Sequence, residues 1–404
     1  MPVNLSPPKF LLPVPGVELC AVAAGIRYAN RDDLVLIKLA EGSSVSGVFT
    51  KNKCCAAPVS VAKAHLEQGR IRALLINSGN ANAVTGEQGM QNAIESCKAV
   101  ACELSLKYQQ VLPFSTGVIG EQLNMSAMLS GTVTASENLE SDSWMNAAKG
   151  IMTTDTVPKG VSKTLEINGE RITITGISKG SGMICPDMAT MLAYVITDAN
   201  IEQKKLDELL DKGVNESFNR ITVDSDTSTN DALVLAATKQ SKAGLLDSDK
   251  ELSLFYEALR SVLVELATAI IRDAEGATKF VKIEVNNGVV EGDCKTIAYD
   301  VAHSPLVKTA LFASDPNWGR ILMAIGKSAV HSLNMDKLGI AINGLALIES
   351  GQPAHSYTEE LGQAVFDEAE ITVSINLNTG NESYHVWTSD LSHEYVSINA
   401  DYRS

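Results

Sequence analysis

Residues 179–199 read KGSGMICPDMATMLAYVITDA. Gly180 and Gly182 let the backbone turn sharply and admit another chain close by. Pro186 stiffens the turn, and residues 188–196 then form a run with few charges that reads as a buried strand. Thr190 sits just inside that run, after the small Ala189. On pattern alone it is a β-branched residue in a strand. The stretch predicts a glycine-rich loop feeding a buried strand.

The same alternation continues outward from this segment. Residues 34–39 and 45–50 read as strands, and an apolar run at 72–76 ends in the turn-rich NSGNANAVTGEQG. Residues 87–108 predict a helix with Ala93, Ile94, Cys97, Val100, Ala101 and Leu104 on one face. VLPFSTGVIG, at 111–120, reads as a strand followed by a turn. Residues 165–177 read as a hairpin about Asn168-Gly169, a pair suited to a type I′ turn. Helices are predicted at 202–218 and 252–272, the second lining up Leu259, Val262, Leu263, Leu266, Ile270 and Ile271. Beyond Glu275 the texture changes. Residues 280–290 and 338–348 are strand-like about Asn287-Gly288 and Asn343-Gly344, and 371–377 alternate strictly between apolar and polar. An α/β chain follows, with a main domain over 1–280 and a C-terminal α/β domain over 281–404.

Composition bounds the function. The 404 residues carry 33 Lys and Arg against 48 Asp and Glu, a formal charge of −15, which argues against coating nucleic acid or an anionic membrane. Apolar residues make up 45% and charged residues 20%, enough core material for a globular protein and too much for disorder. Seven cysteines, an odd number without CxxC or zinc-ligand spacing, read as reduced thiols. Pro7, Pro8, Pro13 and Pro15 break up the apolar start, no basic segment precedes it, and no apolar stretch of about 20 residues occurs. The expected location is the cytoplasm.

Two further patterns invite chemistry. Residues 224–231 read DSDTSTND, a set of hard oxygen ligands. An EF-hand fails there, because its sixth position is Thr229 and its twelfth Leu235. A Mg²⁺ phosphatase built on Asp224 and Asp226 is a second reading, and a polar turn or helix cap is the plainer one. The six histidines are scattered without HxxxH spacing, and GxSxG is absent, so neither a zinc hydrolase nor a serine hydrolase is supported.

The opening segment resembles the signature of the ornithine acetyltransferase family, the glutamate N-acetyltransferases of arginine biosynthesis. Lys179, Gly180-Ser181-Gly182, Pro186 and Ala189-Thr190-Met191-Leu192 match it, with Asp187 where the family usually has Asn. NSGNANAVTG at 77–86, Ser115-Thr116-Gly117, MTTDTVPK at 152–159, DAEGATK at 273–279, SDPNWGR at 314–320 and the tail from Asn399 to Ser404 resemble further family blocks, in family order.

The resemblance implies a sandwich of sheets between helices with a smaller C-terminal domain. It implies self-cutting between Ala189 and Thr190 into chains 1–189 and 190–404, with Thr190 as the nucleophile. A new α-amino group, with an ordinary pKa of about 7.7–8.0, would lie within reach of the Thr190 hydroxyl as its base. Thr116 and Gly117 match the family's oxyanion hole, and Thr153, Lys179, Thr190, Glu275, Asn399 and Ser404 its substrate-binding positions. The implied reaction moves acetyl from N2-acetyl-L-ornithine to L-glutamate through an acetyl-threonine, by a ping-pong route without metal or cofactor. Acetyl-CoA is a co-substrate that the sequence leaves undecided. The implied assembly is two α and two β chains. The rival enzyme class is a self-processing amidase or aminopeptidase that hands the acyl group to water.

Overall fold

The computed structural model describes residues 2–185, 191–331 and 333–400. Pro186, Asp187, Ala189, Thr190 and Ser404 lie outside the described residues. The chain divides into two compact units. The larger spans Pro7–Asn219 and Asp226–Ile270; the smaller holds the described residues among Met1–Ser6, Arg220–Ser225 and Ile271–Ser404.

Among the described residues the larger unit has nine strands: β1 (Val17–Val22), β2 (Leu34–Leu39), β3 (Ser44–Phe49), β4 (Ala73–Asn80), β5 (Val111–Val118), β6 (Lys159–Ile167), β7 (Glu170–Lys179), β8 (Leu192–Thr197) and β9 (Ala232–Ala237). They form one sheet in the order β1-β2-β4-β5 and a second in the order β3-β9-β8-β7-β6. The inner faces of the two sheets share a core in which Leu19, Ile37, Leu74 and Phe114 meet Ile177, Leu192, Tyr194 and Val234. Phe114 and Tyr194 meet edge to face across it, ring centres 5.2 Å apart.

Helices cover the outer faces. Gly86–Leu104 and Met125–Glu137 set Ala93, Cys97, Val100 and Met128 against Leu34, Leu36 and Leu75 of the first sheet. Helix Asp249–Arg272 buries Leu259, Val262, Leu263 and Leu266 completely, with Val262 and Leu266 lying over Gly176 of β7. The larger unit is therefore the sandwich of sheets between helices that the resemblance implies. β8 (LAYVIT) and β9 (ALVLAA) are buried at every position, as central strands covered on both faces must be. The hairpin at Asn168-Gly169 forms as its sequence predicts: both residues take positive φ, 55° and 74°, and Ile167 pairs with Glu170.

The smaller unit is a mixed sheet of β10 (Phe280–Gly288), β11 (Gly339–Ile342), β12 (Leu345–Glu349), β13 (Gln352–Pro353), β14 (Glu370–Asn376) and β15 (Glu382–Ser389), ordered β13-β12-β11-β14-β10-β15. From Ile371 onward β14 alternates between buried and half-buried positions. Helices Glu291–Ala302 and Trp318–Gly326 bring Cys294, Ile297, Val301 and Ile321 onto Val281, Ile283 and Val373.

Three sequence expectations shift. Asn343-Gly344 turns a hairpin between β11 and β12, but Asn287-Gly288 does not. Gly288 ends β10 at a register shift and a helix follows, because β10 pairs with the distant β14 and β15. The turn-like start of NSGNANAVTG is strand to Asn80, and Ser115-Thr116-Gly117 lies inside β5 rather than in a turn. Their polar side chains are accommodated by bonding to one another and to neighbouring backbone: Ser115 Oγ donates to Asn77 Oδ1 at 2.5 Å, and Ser78 Oγ to Gly150 O at 2.9 Å. Among the described residues no helix is long and apolar enough to cross a membrane.

Candidate functional site

β5 runs parallel to β4, and the pairing breaks register at Gly79 and Asn80, opposite Gly117. Gly117 has φ +136°, and a Cβ there would collide with the Gly79 backbone, so only glycine fits. The peptide that joins Ser115 to Thr116 is fixed from its carbonyl side. Asn230 Nδ2 donates to Ser115 O at 2.9 Å and to Ala81 O at 2.6 Å, from a buried position. Thr116 is buried. Rigid, close-packed backbone of this kind is what a preorganised oxyanion donor needs.

Lys179 ends β7 and is 4% exposed. Its Nζ donates to Thr153 Oγ1 at 2.7 Å and lies 3.4 Å from Thr116 Oγ1. Three residues predicted from distant parts of the sequence thus meet at one ammonium group. Asp155 arranges them. Its carboxylate accepts from Lys159 Nζ at 2.6 Å, Gly180 N at 2.7 Å and Thr153 N at 3.0 Å. Burial by itself would raise the Asp155 pKa; the nearby Lys159 and Lys179 charges and the Gly180 amide outweigh it and hold the carboxyl well below the usual range. The signal for Asp155 in the sequence is its i,i+4 spacing to Lys159 inside MTTDTVPK.

Lys179 pairs across the sheet with Leu192, and Leu192 with Ala232, so the entries of β8 and β9 lie beside the end of β7. Just ahead of them, Asp231 Oδ1 accepts from Met191 N at 2.9 Å, and Ala232 N donates to Met191 O. The other oxygen, Asp231 Oδ2, is buried without a hydrogen-bond partner among the described residues. Burial pushes this carboxyl well above the ordinary range, against the opposing pull of the Met191 amide, Ser228 and the Lys179 charge. Residues 228–231 are all buried, so the second half of DSDTSTND is interior structure rather than a surface turn. Its signal in the sequence was its position directly before the apolar run of β9.

In the smaller unit Glu275 is 8% exposed, and its Oε2 accepts from Asn399 Nδ2 at 2.7 Å. Asp224 Oδ2 accepts from Tyr395 OH at 3.0 Å. Among the described residues no group of three or more His, Cys, Asp or Glu gathers as a metal site.

Residues 18–404 match the ArgJ family. The chain is 52% identical to the arginine biosynthesis bifunctional protein ArgJ of Pseudomonas syringae pv. tomato over the whole of both chains. It is 48% identical to the protein of the same name from Psychrobacter arcticus, over 99% of each. Among solved structures, the Bacillus halodurans ArgJ chain is 38% identical, covering 51% of this chain and 97% of its own, with a TM-score of 0.49. An ornithine acetyltransferase of Mycobacterium tuberculosis, solved with ornithine, is 32% identical over 43% of this chain and 92% of its own, with a TM-score of 0.37.

Proposed function

Because this chain belongs to the ArgJ family, we propose that it is a glutamate N-acetyltransferase of arginine biosynthesis, taking acetyl from N2-acetyl-L-ornithine and giving it to L-glutamate. The observation that carries the reading is the meeting of Thr116, Thr153 and Lys179 around one buried ammonium group beside the entry of β8.

The chain cuts itself between Ala189 and Thr190. Thr190 becomes the new N-terminus, and its amine, neutral in part near pH 7, takes the proton from its own hydroxyl. The hydroxyl oxygen attacks the acetyl carbonyl of N2-acetylornithine. Thr116 and Gly117 stabilise the negative charge that develops on the carbonyl oxygen; loss of one such donor typically costs about 10²–10³ in turnover. The intermediate collapses, ornithine leaves with the proton, and an acetyl ester remains on Thr190. Glutamate then attacks this ester and departs as N-acetylglutamate. The buried ammonium of Lys179 suits a substrate carboxylate, and the Glu275 carboxylate an α- or δ-ammonium. Thr153, Asn399 and Ser404 complete the substrate contacts by the family pattern. The transfer needs no metal or cofactor, acetyl-CoA is an additional donor to be tried, and the cut chains work in the cytoplasm as a tetramer of two α and two β chains.

The direct test incubates the purified protein with N2-acetylornithine and glutamate. The reading expects N-acetylglutamate to form with parallel double-reciprocal plots, insensitive to chelator. Hydrolysis of the acetyl group without transfer to glutamate would contradict it.

A further inference from the structure

Helix His393–Ala400 is eight residues long, too short to persist unaided, and none of its residues is buried. Apolar burial therefore does not hold it. Its ties within the smaller unit are mostly polar, and several converge on one residue. Tyr395 OH donates to Asp224 Oδ2 at 3.0 Å, Tyr395 N donates to Ser392 Oγ at 3.3 Å, and Tyr395 O accepts from Asn399 Nδ2 at 2.9 Å. The same Asn399 amide donates to Glu275 Oε2 at 2.7 Å. Next to Glu275, Gly276 has φ +68°, and a Cβ there would come within 2.5 Å of Ser392 Oγ and 2.7 Å of Tyr395 N. The 275–276 backbone thus lies directly on the start of the helix. The far side of that loop is fixed too, since Asp390 accepts from Thr278 N, Thr278 Oγ1 and Lys279 N.

We propose that Tyr395 is a positioning residue: its hydrogen bond to Asp224 anchors the C-terminal helix so that Asn399 stays on Glu275. The idea deepens the transferase reading and rests on its assignment of Glu275 and Asn399 to the substrate. It also gives Asp224 a task that the phosphatase reading did not foresee. Tyr395 acts through Asn399.

Tyr395→Phe keeps the ring and removes only the hydroxyl. The expected result is a rise in KM for N2-acetylornithine of about tenfold, the scale of losing one hydrogen bond to a charged group, with kcat held within about twofold. Amide hydrogen exchange should quicken in residues 393–400 and stay unchanged in β10. In an Asn399→Ala background, Tyr395→Phe should raise KM no further. Unchanged KM and exchange in Tyr395→Phe, or effects of the two substitutions that simply add, would overturn the proposal. Should the unaltered protein transfer no acetyl group, the transferase reading falls, and the exchange measurement still decides the anchor: faster exchange supports it and unchanged exchange refutes it.

Discussion

Lys179 Nζ donates to Thr153 Oγ1 at 2.7 Å, joining the end of β7 to a loop 26 residues earlier in the chain. A buried ammonium favours an anion beside it, through a charge-assisted hydrogen bond to a substrate carboxylate. Lys179→Met is therefore expected to lower kcat/KM for N2-acetylornithine about 10- to 150-fold, the scale of a hydrogen bond to a charged group. Lys179→Arg should not restore it, because the planar fork cannot replace a compact ammonium in a buried position. Steady-state kinetics, with the melting temperature as a check on folding, decide the matter.

Asp155 and Lys159 form an ion pair whose side chains are both fully buried. Removing one partner leaves a buried charge uncompensated, so Asp155→Ala should destabilise the protein by about 3–5 kcal/mol. It should also release the Gly180 and Thr153 amides that Asp155 holds. Urea unfolding measures the first effect, and loss of transfer out of proportion to the unfolded fraction measures the second.

Gly117 admits no side chain, since a Cβ would meet the Gly79 backbone. Gly117→Ala is expected to cost about 1–3 kcal/mol from overpacking, with left-handed backbone strain in addition. A lower melting temperature together with lost transfer is the predicted outcome. A variant as stable and active as the parent would show that this stretch of β5 yields more readily than its packing implies.

Lys308 supplies a pH test in the smaller unit. Burial lowers its pKa to about 8, against the opposing influence of Asp390 and Asp224. Below pH 8 the group is protonated folded and unfolded alike, and the folded state bears the full cost of the buried charge. Between about 8 and the ordinary 10.5 the unfolded chain binds more protons, so this group's contribution to stability rises with pH. The stability of the parent relative to Lys308→Met should therefore improve from pH 7 to pH 10. A pH-independent difference would contradict the assignment.

Much of this architecture is legible in the sequence where a single physical signal dominates. The helix through Leu259, Val262, Leu263 and Leu266 follows from its period, and the hairpin at Asn168-Gly169 from the positive φ its turn demands. Legibility fails where polar residues are buried in pairs. Asn77, Ser115 and Asn230 look like turn residues because each is polar, yet each is satisfied by a partner far along the chain, which no local pattern displays. Asn287-Gly288 misleads for the same reason: β10 finds its neighbours nearly a hundred residues away. Thr116, Thr153 and Lys179 emerged from family resemblance; their meeting at one ammonium group required the fold. The burial of Asp155 and Asp231 is not legible, because charge in a sequence reads as surface until the fold is known.

The central claim is that this 404-residue chain is the precursor of a threonine enzyme. Intact mass under denaturing conditions tests it most directly, comparing the parent with Thr190→Ala. The account predicts two fragments from the parent, residues 1–189 and 190–404, with acetyl bound to the second after brief exposure to N2-acetylornithine. It predicts one uncut, inactive chain from Thr190→Ala. An intact parent chain that still transfers acetyl, or a Thr190→Ala chain that is cut and active, would contradict it.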